Sequence, residues 1–156
     1  MTDIAIRTFA PQRLLAFVTR SPDIQFMGAW KGLHGALGAQ GITTTTPSFL
    51  AVFEASALDG PQSMATYAAA VVAPDGKSGA APLVELSVPG GRYATYLYVG
   101  GYEGMGQAWG GFTAALMAAG HPLALQRPCL ERYLNDPAVT PPAELRTELC
   151  VPIADE

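Results

Sequence analysis

The pattern of hydrophobic and polar residues changes period in the middle of two stretches of this chain. Residues 92–99 alternate and are rich in Tyr, Thr, Leu and Val, which is typical of a half-buried strand. After two glycines, apolar residues recur at three- and four-residue spacing as far as Gly120, which predicts an amphipathic helix that ends there. The first stretch has the same form, with a strand over residues 14–19 and a helix that ends at Gly41. Each stretch is therefore predicted to fold as a strand, a turn and a helix.

The two stretches also resemble each other residue by residue. They align without a gap at an offset of 79 positions, which places Trp30 on Trp109. If the second connection has two extra residues, the following segments align at an offset of 81, which places Leu50 on Glu131. The sequence therefore predicts an α+β fold made by tandem duplication of a β-α-β-β unit. Two such halves, related by a pseudo-two-fold axis and built on antiparallel sheets, would leave a central ligand groove where they meet.

The length of the chain favours one compact domain over two independent ones. Its 156 residues, of which 49% are hydrophobic, can bury one substantial core. We assign residues 1–156 to a single domain, with half-repeats at 1–73 and 83–153 and a Gly- and Pro-rich linker at 74–82. Further strands are predicted at residues 2–9, 49–53, 64–72, 83–88, 128–134 and 144–153.

Charge, cysteine content and motifs exclude several classes of function. The net charge is −4 and the nine Lys and Arg residues are scattered, so direct binding of nucleic acid is not expected. The N-terminus lacks the pattern of a secretory signal, and no apolar run approaches the roughly 20 residues of a membrane span. Cys129 and Cys150 lack metal-ligand spacing, and whether they lie close together stays open. We predict a cytoplasmic protein without metal or cofactor.

The remaining source of function is a shaped cavity, because the chain has no P-loop, nucleophile elbow or zinc motif. Aromatic and methionine side chains near the predicted junction can line such a cavity or simply form core. They are Met27, Trp30, Met64, Tyr67, Tyr98, Tyr102, Met105, Trp109 and Tyr133. For His34 we favour a surface or helix-packing role over a catalytic one.

Glu131 is the most informative departure from the repeat. It puts a carboxylate where the other half has an apolar residue, in a strand that carries Cys129 and Tyr133 on the same face. In an apolar pocket the pKa of this carboxyl would be raised, and the group could serve as a general base or as the counter-ion of a cation. The alternative is an exposed glutamate beside Arg132.

Two segments carry a resemblance to a known family. The run VPGGRYATYLYVGGYEGMGQAW and, above all, PCLERYLNDPAVTPPAELRTELCVPI resemble the GyrI-like (gyrase-inhibitor-like) small-molecule-binding domain. That family includes effector domains of bacterial multidrug-sensing transcription activators. The resemblance implies two β-α-β-β repeats around a hydrophobic groove with a central acid, here Glu131. It also implies that Trp30, Tyr67 and Met105 line the groove, and internal symmetry adds Trp109.

Pattern and resemblance together give one set of predicted ligand-binding residues: Met27, Trp30, Tyr67, Tyr98, Met105, Trp109, Glu131 and Tyr133. Our leading hypothesis is a stand-alone protein that captures lipophilic compounds, especially cationic or planar aromatic ones. The second, which the resemblance also implies, is a hydrolase that opens reactive cyclopropane rings, with Glu131 activating water and Tyr67 or Tyr133 positioning it. The third is inhibition of a topoisomerase, gyrase, through protein–protein contact.

The oligomeric state is left as monomer or homodimer. No helix-turn-helix precedes the first predicted strand, so activation of transcription would require a separate DNA-binding partner.

Overall fold

The structure, a computed structural model, describes residues 3–20, 26–43, 49–53, 66–74, 78–124 and 126–154. Within these ranges the chain forms two α-helices and eight strands, which confirms the α+β class. The elements are β1 (Ala5–Phe9), β2 (Gln12–Arg20), α1 (Phe26–Ala39), β3 (Phe49–Phe53), β4 (Thr66–Val72), β5 (Val84–Val88), β6 (Gly91–Val99), α2 (Met105–Ala119), β7 (Cys129–Tyr133) and β8 (Arg146–Pro152). Met64, the start of its predicted strand and part of the predicted linker lie outside the described residues.

The strands form one continuous antiparallel sheet rather than separate sheets. Its order is β1-β6-β8-β7-β3-β4-β2-β5, and every neighbouring pair is antiparallel. The opening strand of each predicted β-α-β-β unit consists of two strands, β1 and β2 in the first half and β5 and β6 in the second. Because β1 pairs with β6 and β5 pairs with β2, each half donates a strand to the other.

A glycine permits close approach between the β1–β2 connection and the β5–β6 connection. A Cβ atom at Gly90 would lie 2.6 Å from the carbonyl oxygen of Phe9 and 2.8 Å from a ring carbon of Pro11. Any larger residue at position 90 would therefore push the two connections apart.

Register within the sheet corrects the predicted alignment of the two halves. The elements β1, β2 and α1 begin 79 positions before β5, β6 and α2, as predicted, but β3 and β4 begin 80 positions before β7 and β8. The predicted offset of 81 was wrong by one residue, because loops have no periodicity that fixes their length. A shift of one residue reverses the face of every strand side chain, so Leu50 is not the counterpart of Glu131. Ala51 is the counterpart, and it lies directly opposite Glu131 in the β3–β7 ladder.

Exchanging each strand for its partner in the other half reproduces the strand order, since β1-β6-β8-β7 becomes β5-β2-β4-β3. This observation supports tandem duplication, which itself stays a prediction. With or without duplication, the pair β3–β7 lies at the midpoint of the sheet, and its register positions Glu131.

The helices cover one face of the sheet, and apolar residues are buried on both faces. On the helix side, Leu33 of α1 and Phe112 of α2 join Cys129 and other strand residues in one cluster. On the opposite side, Leu50 and Cys150 belong to a second cluster that has no helix in it. The two cysteines therefore lie on neighbouring strands but on opposite faces, and both are free thiols. Burial raises the pKa of the Cys129 thiol to about 12.

An ion-pair cluster on the face without helices joins the two halves. Glu148 on β8 is buried and forms ion pairs with Arg7 on β1 and Arg132 on β7. The guanidinium groups of both arginines also lie over the ring of Phe9, each at 5.1 Å from the ring centre. Arg132 is thus directed away from Glu131, because consecutive strand residues point to opposite faces.

Candidate functional site

A pocket of about 1050 Å³ opens between the two helices and the helix-side face of the sheet. Its walls are mostly apolar, and its polar groups are few. The lining residues are Phe26, Met27, Trp30, His34, Phe49, Phe53, Tyr67, Tyr102, Met105, Gly106, Trp109, Gly110, Thr113, Glu131, Tyr133, Asn135, Asp136, Pro137 and Ala138. A concave apolar site with a few convergent polar groups is the usual form of a small-molecule pocket.

Glu131 reaches the pocket from β7, and both of its carboxylate oxygens are hydrogen-bonded. The Tyr133 hydroxyl donates to Oε1 at 2.6 Å, and the indole Nε1–H of Trp109 donates to Oε2 at 2.6 Å. The side chain is only partly accessible, and that access is to the pocket. The predicted alternative, an exposed glutamate beside Arg132, is therefore wrong.

A second hydrogen-bonded pair, from the other half of the molecule, lies beside Glu131. The indole Nε1–H of Trp30 donates to the Tyr67 hydroxyl oxygen at 2.8 Å, and the hydroxyls of Tyr67 and Tyr133 lie close enough to affect each other's pKa. The Glu131 carboxylate and the hydroxyls of Tyr133 and Tyr67 are therefore grouped together at the pocket.

Burial dominates the electrostatics of these groups. Desolvation raises the pKa of the Glu131 carboxyl above its ordinary 4.5, and the hydrogen bonds from Tyr133 and Trp109 oppose that rise. Burial, and secondly the nearby Glu131 charge, raise the pKa of Tyr67 to about 12. For the same two reasons the pKa of Tyr133 lies well above its ordinary value. Both tyrosines are therefore neutral hydrogen-bond donors across the physiological range.

Two pairs of aromatic rings flank the carboxylate. We call Trp30 and Tyr133 the first wall: their ring centres are 5.3 Å apart and their planes meet at 80°. We call Trp109 and Phe53 the second wall: their ring centres are 5.4 Å apart and their planes meet at 76°. Such edge-to-face pairs hold aromatic rings rigidly, which presents flat apolar surfaces to a ligand.

The charges around the pocket are of one sign. Its two ionisable acids are Glu131 and Asp136, and none of the described residues that line it is Lys or Arg. His34 lies at an exposed position with its ring 5.2 Å from that of Phe49 and 6.2 Å from that of Trp30, measured between ring centres. His34 thus lies at the exposed edge of the pocket, and its predicted surface or helix-packing role stays a prediction.

Seven of the eight predicted ligand-binding residues line this pocket: Met27, Trp30, Tyr67, Met105, Trp109, Glu131 and Tyr133. Tyr98 does not line it, because its hydroxyl donates to the carbonyl oxygen of Gly101 at 2.6 Å and its ring is held under the turn before α2. Contact between the seven residues and a ligand stays a prediction.

Sequence reasoning missed several lining residues, although the repeat contained a signal for two of them. At the corrected offsets, Phe53 is the counterpart of Tyr133 and Phe26 is the counterpart of Met105. Asn135 and Asp136 follow β7 in a turn, where the Asp136 carboxylate accepts a hydrogen bond from the backbone N–H of Ala138 at 2.8 Å. No period marks such loop residues in a sequence.

The part of the chain that the structure describes contains no group of three or more His, Cys, Asp or Glu side chains that could hold a metal ion. Neither of its helices combines the length and apolar character needed to cross a membrane.

Comparison with known proteins gives the family. The model of the GyrI-like small molecule binding domain matches residues 2–154. The chain belongs to this family. No curated protein sequence matches it.

Solved structures confirm the fold at low sequence identity. The EcmrR C-terminal domain is 17% identical with a TM-score of 0.74, and the match covers 100% of this chain and 99% of that one. SAV2435, solved bound to tetraphenylphosphonium, is 13% identical with a TM-score of 0.70, covering 97% and 94%. A hydrolase encoded by lin2189 from Listeria innocua is 13% identical with a TM-score of 0.65, covering 98% and 92%. This GyrI-like domain thus shares its whole fold with proteins of different described roles.

Proposed function

We propose that this GyrI-like domain binds lipophilic organic cations, with Glu131 as the counter-ion. The observation that carries the proposal is a carboxylate held by two hydrogen bonds in an aromatic pocket. None of the described residues that line this pocket is Lys or Arg. SAV2435, which has the same fold, was solved with tetraphenylphosphonium bound, and this gives a suitable first ligand.

The energetics of the pocket favour a large, weakly hydrated cation. Aromatic faces attract cations by about 0.5–2 kcal/mol each, most strongly where water is excluded. A small, strongly hydrated ion such as NH4+ would lose its hydration on entry, and few polar groups are present to replace the lost water. An organic cation that spreads its charge over apolar groups avoids this loss and brings apolar area to bury.

Replacing the charge while keeping the shape tests the proposal. We expect Glu131→Gln to weaken tetraphenylphosphonium binding roughly 10- to 100-fold, because the cation loses a partner in a medium of low effective dielectric. Glu103→Gln is the matched control, since Glu103 is an exposed acid close to the pocket that does not line it. That variant has the same change in net charge and should bind as the wild type does.

A neutral ligand of similar shape completes the experiment. Triphenylphosphine oxide should bind Glu131→Gln as well as or better than the wild type. Isothermal titration calorimetry of both ligands against all three proteins gives the comparison. Unchanged affinity of tetraphenylphosphonium for Glu131→Gln would refute the counter-ion role.

The second candidate function is hydrolysis of cyclopropane-containing compounds, and the Tyr133 and Tyr67 hydroxyls beside the Glu131 carboxylate favour it. In this reaction the water oxygen attacks a ring carbon and Glu131 takes the proton of the water. The carbon–carbon bond breaks toward a conjugated carbonyl, which then takes that proton, so that the net change is addition of one water. Tyr67 and Tyr133 would position the water, and two similar structures from Listeria innocua are described as hydrolases.

Incubation with a cyclopropane-bearing DNA alkylator separates the two candidates. An enzyme returns the ring-opened alcohol, heavier by one water, whereas a binder returns the compound intact. For the enzyme we expect Glu131→Gln to abolish turnover and Tyr67→Phe to lower kcat with little change in KM. Inhibition of gyrase, a cytoplasmic location and a monomeric or homodimeric state remain predictions from the sequence, and a supercoiling assay tests the first of them.

A further inference from the structure

The two aromatic walls of the pocket are equivalent positions of the two halves. At the offset of 79, Trp30 of the first wall corresponds to Trp109 of the second. At the offset of 80, Phe53 of the second wall corresponds to Tyr133 of the first. Each wall therefore combines a helix tryptophan from one half with a strand ring from the other.

The geometry of the walls follows this equivalence. Their centre-to-centre distances differ by 0.1 Å, at 5.3 and 5.4 Å, and their interplanar angles are 80° and 76°. The pocket consequently presents two similar aromatic surfaces, one around each tryptophan.

Glu131 lies between these surfaces. One oxygen accepts from Tyr133 of the first wall and the other accepts from Trp109 of the second. Its strand neighbour across the β3–β7 ladder is Ala51, which is its counterpart in the other half and contributes only a methyl group. The negative charge is therefore central, while the aromatic surfaces extend on both sides of it.

We propose that the pocket selects ligands whose cationic centre carries two aryl arms, in preference to isomers that carry the same charge at one end. A central cation can contact Glu131 while one arm lies on each wall. A terminal cation at Glu131 leaves one wall without a ring. This inference rests on the proposed cation-binding function and deepens it by naming the ligand class.

Two isomeric ions test the inference directly. Dibenzyldimethylammonium and (4-benzylphenyl)trimethylammonium have the same formula, charge and number of rings, but the nitrogen is central in the first and terminal in the second. We expect the first to bind roughly tenfold more tightly, since a second aromatic contact corresponds to about a three- to tenfold gain in affinity. Equal affinity, or tighter binding of the terminal isomer, would overturn the inference.

Intrinsic fluorescence gives a convenient readout. The chain has two tryptophans, Trp30 and Trp109, and both line the pocket. Quenching or a spectral shift on titration therefore reports the site, and calorimetry provides the independent measurement of affinity.

Variants of the two walls provide a second measurement. Trp30→Leu removes a ring of the first wall, and Phe53→Leu removes one of the second. For dibenzyldimethylammonium we expect each variant to weaken binding by about three- to tenfold. For the terminal isomer only one variant should do so. If both variants weaken both isomers equally, the two-armed arrangement is wrong.

The controls separate this inference from the function on which it depends. Circular dichroism and the thermal midpoint establish that each variant is folded, and the wild-type ratio of the two isomers needs no variant. If neither isomer binds the wild type, and tetraphenylphosphonium does not bind either, the proposed function fails. If both isomers bind equally and Glu131→Gln weakens both, the function stands and only the two-armed selectivity is refuted.

Discussion

At the scale of single residues, Glu131 is held in a position that favours its neutral form, and the ligand we propose would favour its charged form. Burial raises its pKa, while the hydrogen bonds from Tyr133 and Trp109 limit the rise. The carboxylate is thus fixed in direction before any ligand arrives. Preorganisation of this kind lowers the entropic cost of binding.

The raised pKa predicts how Glu131 changes stability with pH in the absence of ligand. The folded protein binds the proton of Glu131 more tightly than the unfolded chain does, so the free energy of unfolding falls as pH rises above the ordinary 4.5. The fall ends once pH exceeds the raised pKa of the folded state. Glu131→Gln has no ionisation at this position, and we expect it to gain stability relative to the wild type across this window. Urea denaturation of both proteins as a function of pH measures the difference, and parallel curves would contradict the prediction.

Predicted site residues lie at the pocket where the residue type itself carried the signal. The resemblance to a family pointed to Glu131 and Trp30, and the internal repeat added Trp109. Tyr98 was assigned to the pocket together with the other aromatic residues near the predicted junction, but a sequence pattern does not give the position of a side chain along the groove. Its hydroxyl instead holds the turn at Gly101.

At the scale of elements, α1 packs against β2 through a glycine. A Cβ atom at Gly32 would lie 2.5 Å from a ring carbon of Phe17, whereas one at Gly35 would meet nothing within 4 Å. Both glycines lie inside the helix. A larger residue at position 32 would therefore push α1 and Phe17 apart, whereas position 35 has room for one.

Paired alanine substitutions test this packing. Gly35→Ala should raise the free energy of unfolding by about 0.5–1 kcal/mol, because alanine has the higher helix propensity. Gly32→Ala has the same gain in propensity but must displace Phe17, so we expect a net loss of about 1–2 kcal/mol. Thermal and urea denaturation measure both values. If Gly32→Ala proved as stable as Gly35→Ala, the close contact with Phe17 would be wrong.

The types of the secondary-structure elements were predicted well, and the lengths of the loops between them less well. The period of two in residues 92–99 and the apolar stripe of the helix that follows gave β6 and α2 almost to their ends. The loop after the helices has no period, so its length was misjudged by one residue and Leu50 was taken as the counterpart of Glu131. The inference of a carboxylate opposite an apolar residue survives, because the true counterpart, Ala51, is also apolar.

At the scale of the whole molecule, the halves are interlocked rather than placed side by side. The strand β1 pairs with β6, β5 pairs with β2, and the central contact of the sheet is β3 with β7. The pocket itself takes one helix from each half. The repeat indicated that the halves would meet around a groove, but the exchange of their first strands involves pairing between distant residues that no local pattern encodes.

Interlocking predicts that one half does not fold alone. A fragment of residues 1–82 retains β2, β3 and β4 but lacks β6, which pairs with β1, and β7, which pairs with β3. We expect it to show no cooperative unfolding as a monomer, and mixing with residues 83–156 to restore the fold. Circular dichroism and analytical ultracentrifugation provide the measurement. A half that folds only as a dimer would agree with the prediction and support duplication, whereas a stably folded monomeric half would disprove it.

The central claim is that the charge of Glu131 compensates the charge of the ligand inside the pocket. Because a cation stabilises the ionised carboxylate, binding must lower the raised pKa of Glu131. At pH values where Glu131 of the free protein is still protonated, binding therefore releases that proton. The affinity of the wild type for tetraphenylphosphonium, whose own charge does not vary with pH, should therefore rise with pH as Glu131 of the free protein ionises and level off beyond its raised pKa. Calorimetric titrations over this range, in buffers of different ionisation enthalpy, measure affinity and proton release together. We predict both effects in the wild type and neither in Glu131→Gln; equally tight, pH-independent binding by the two proteins would contradict the account.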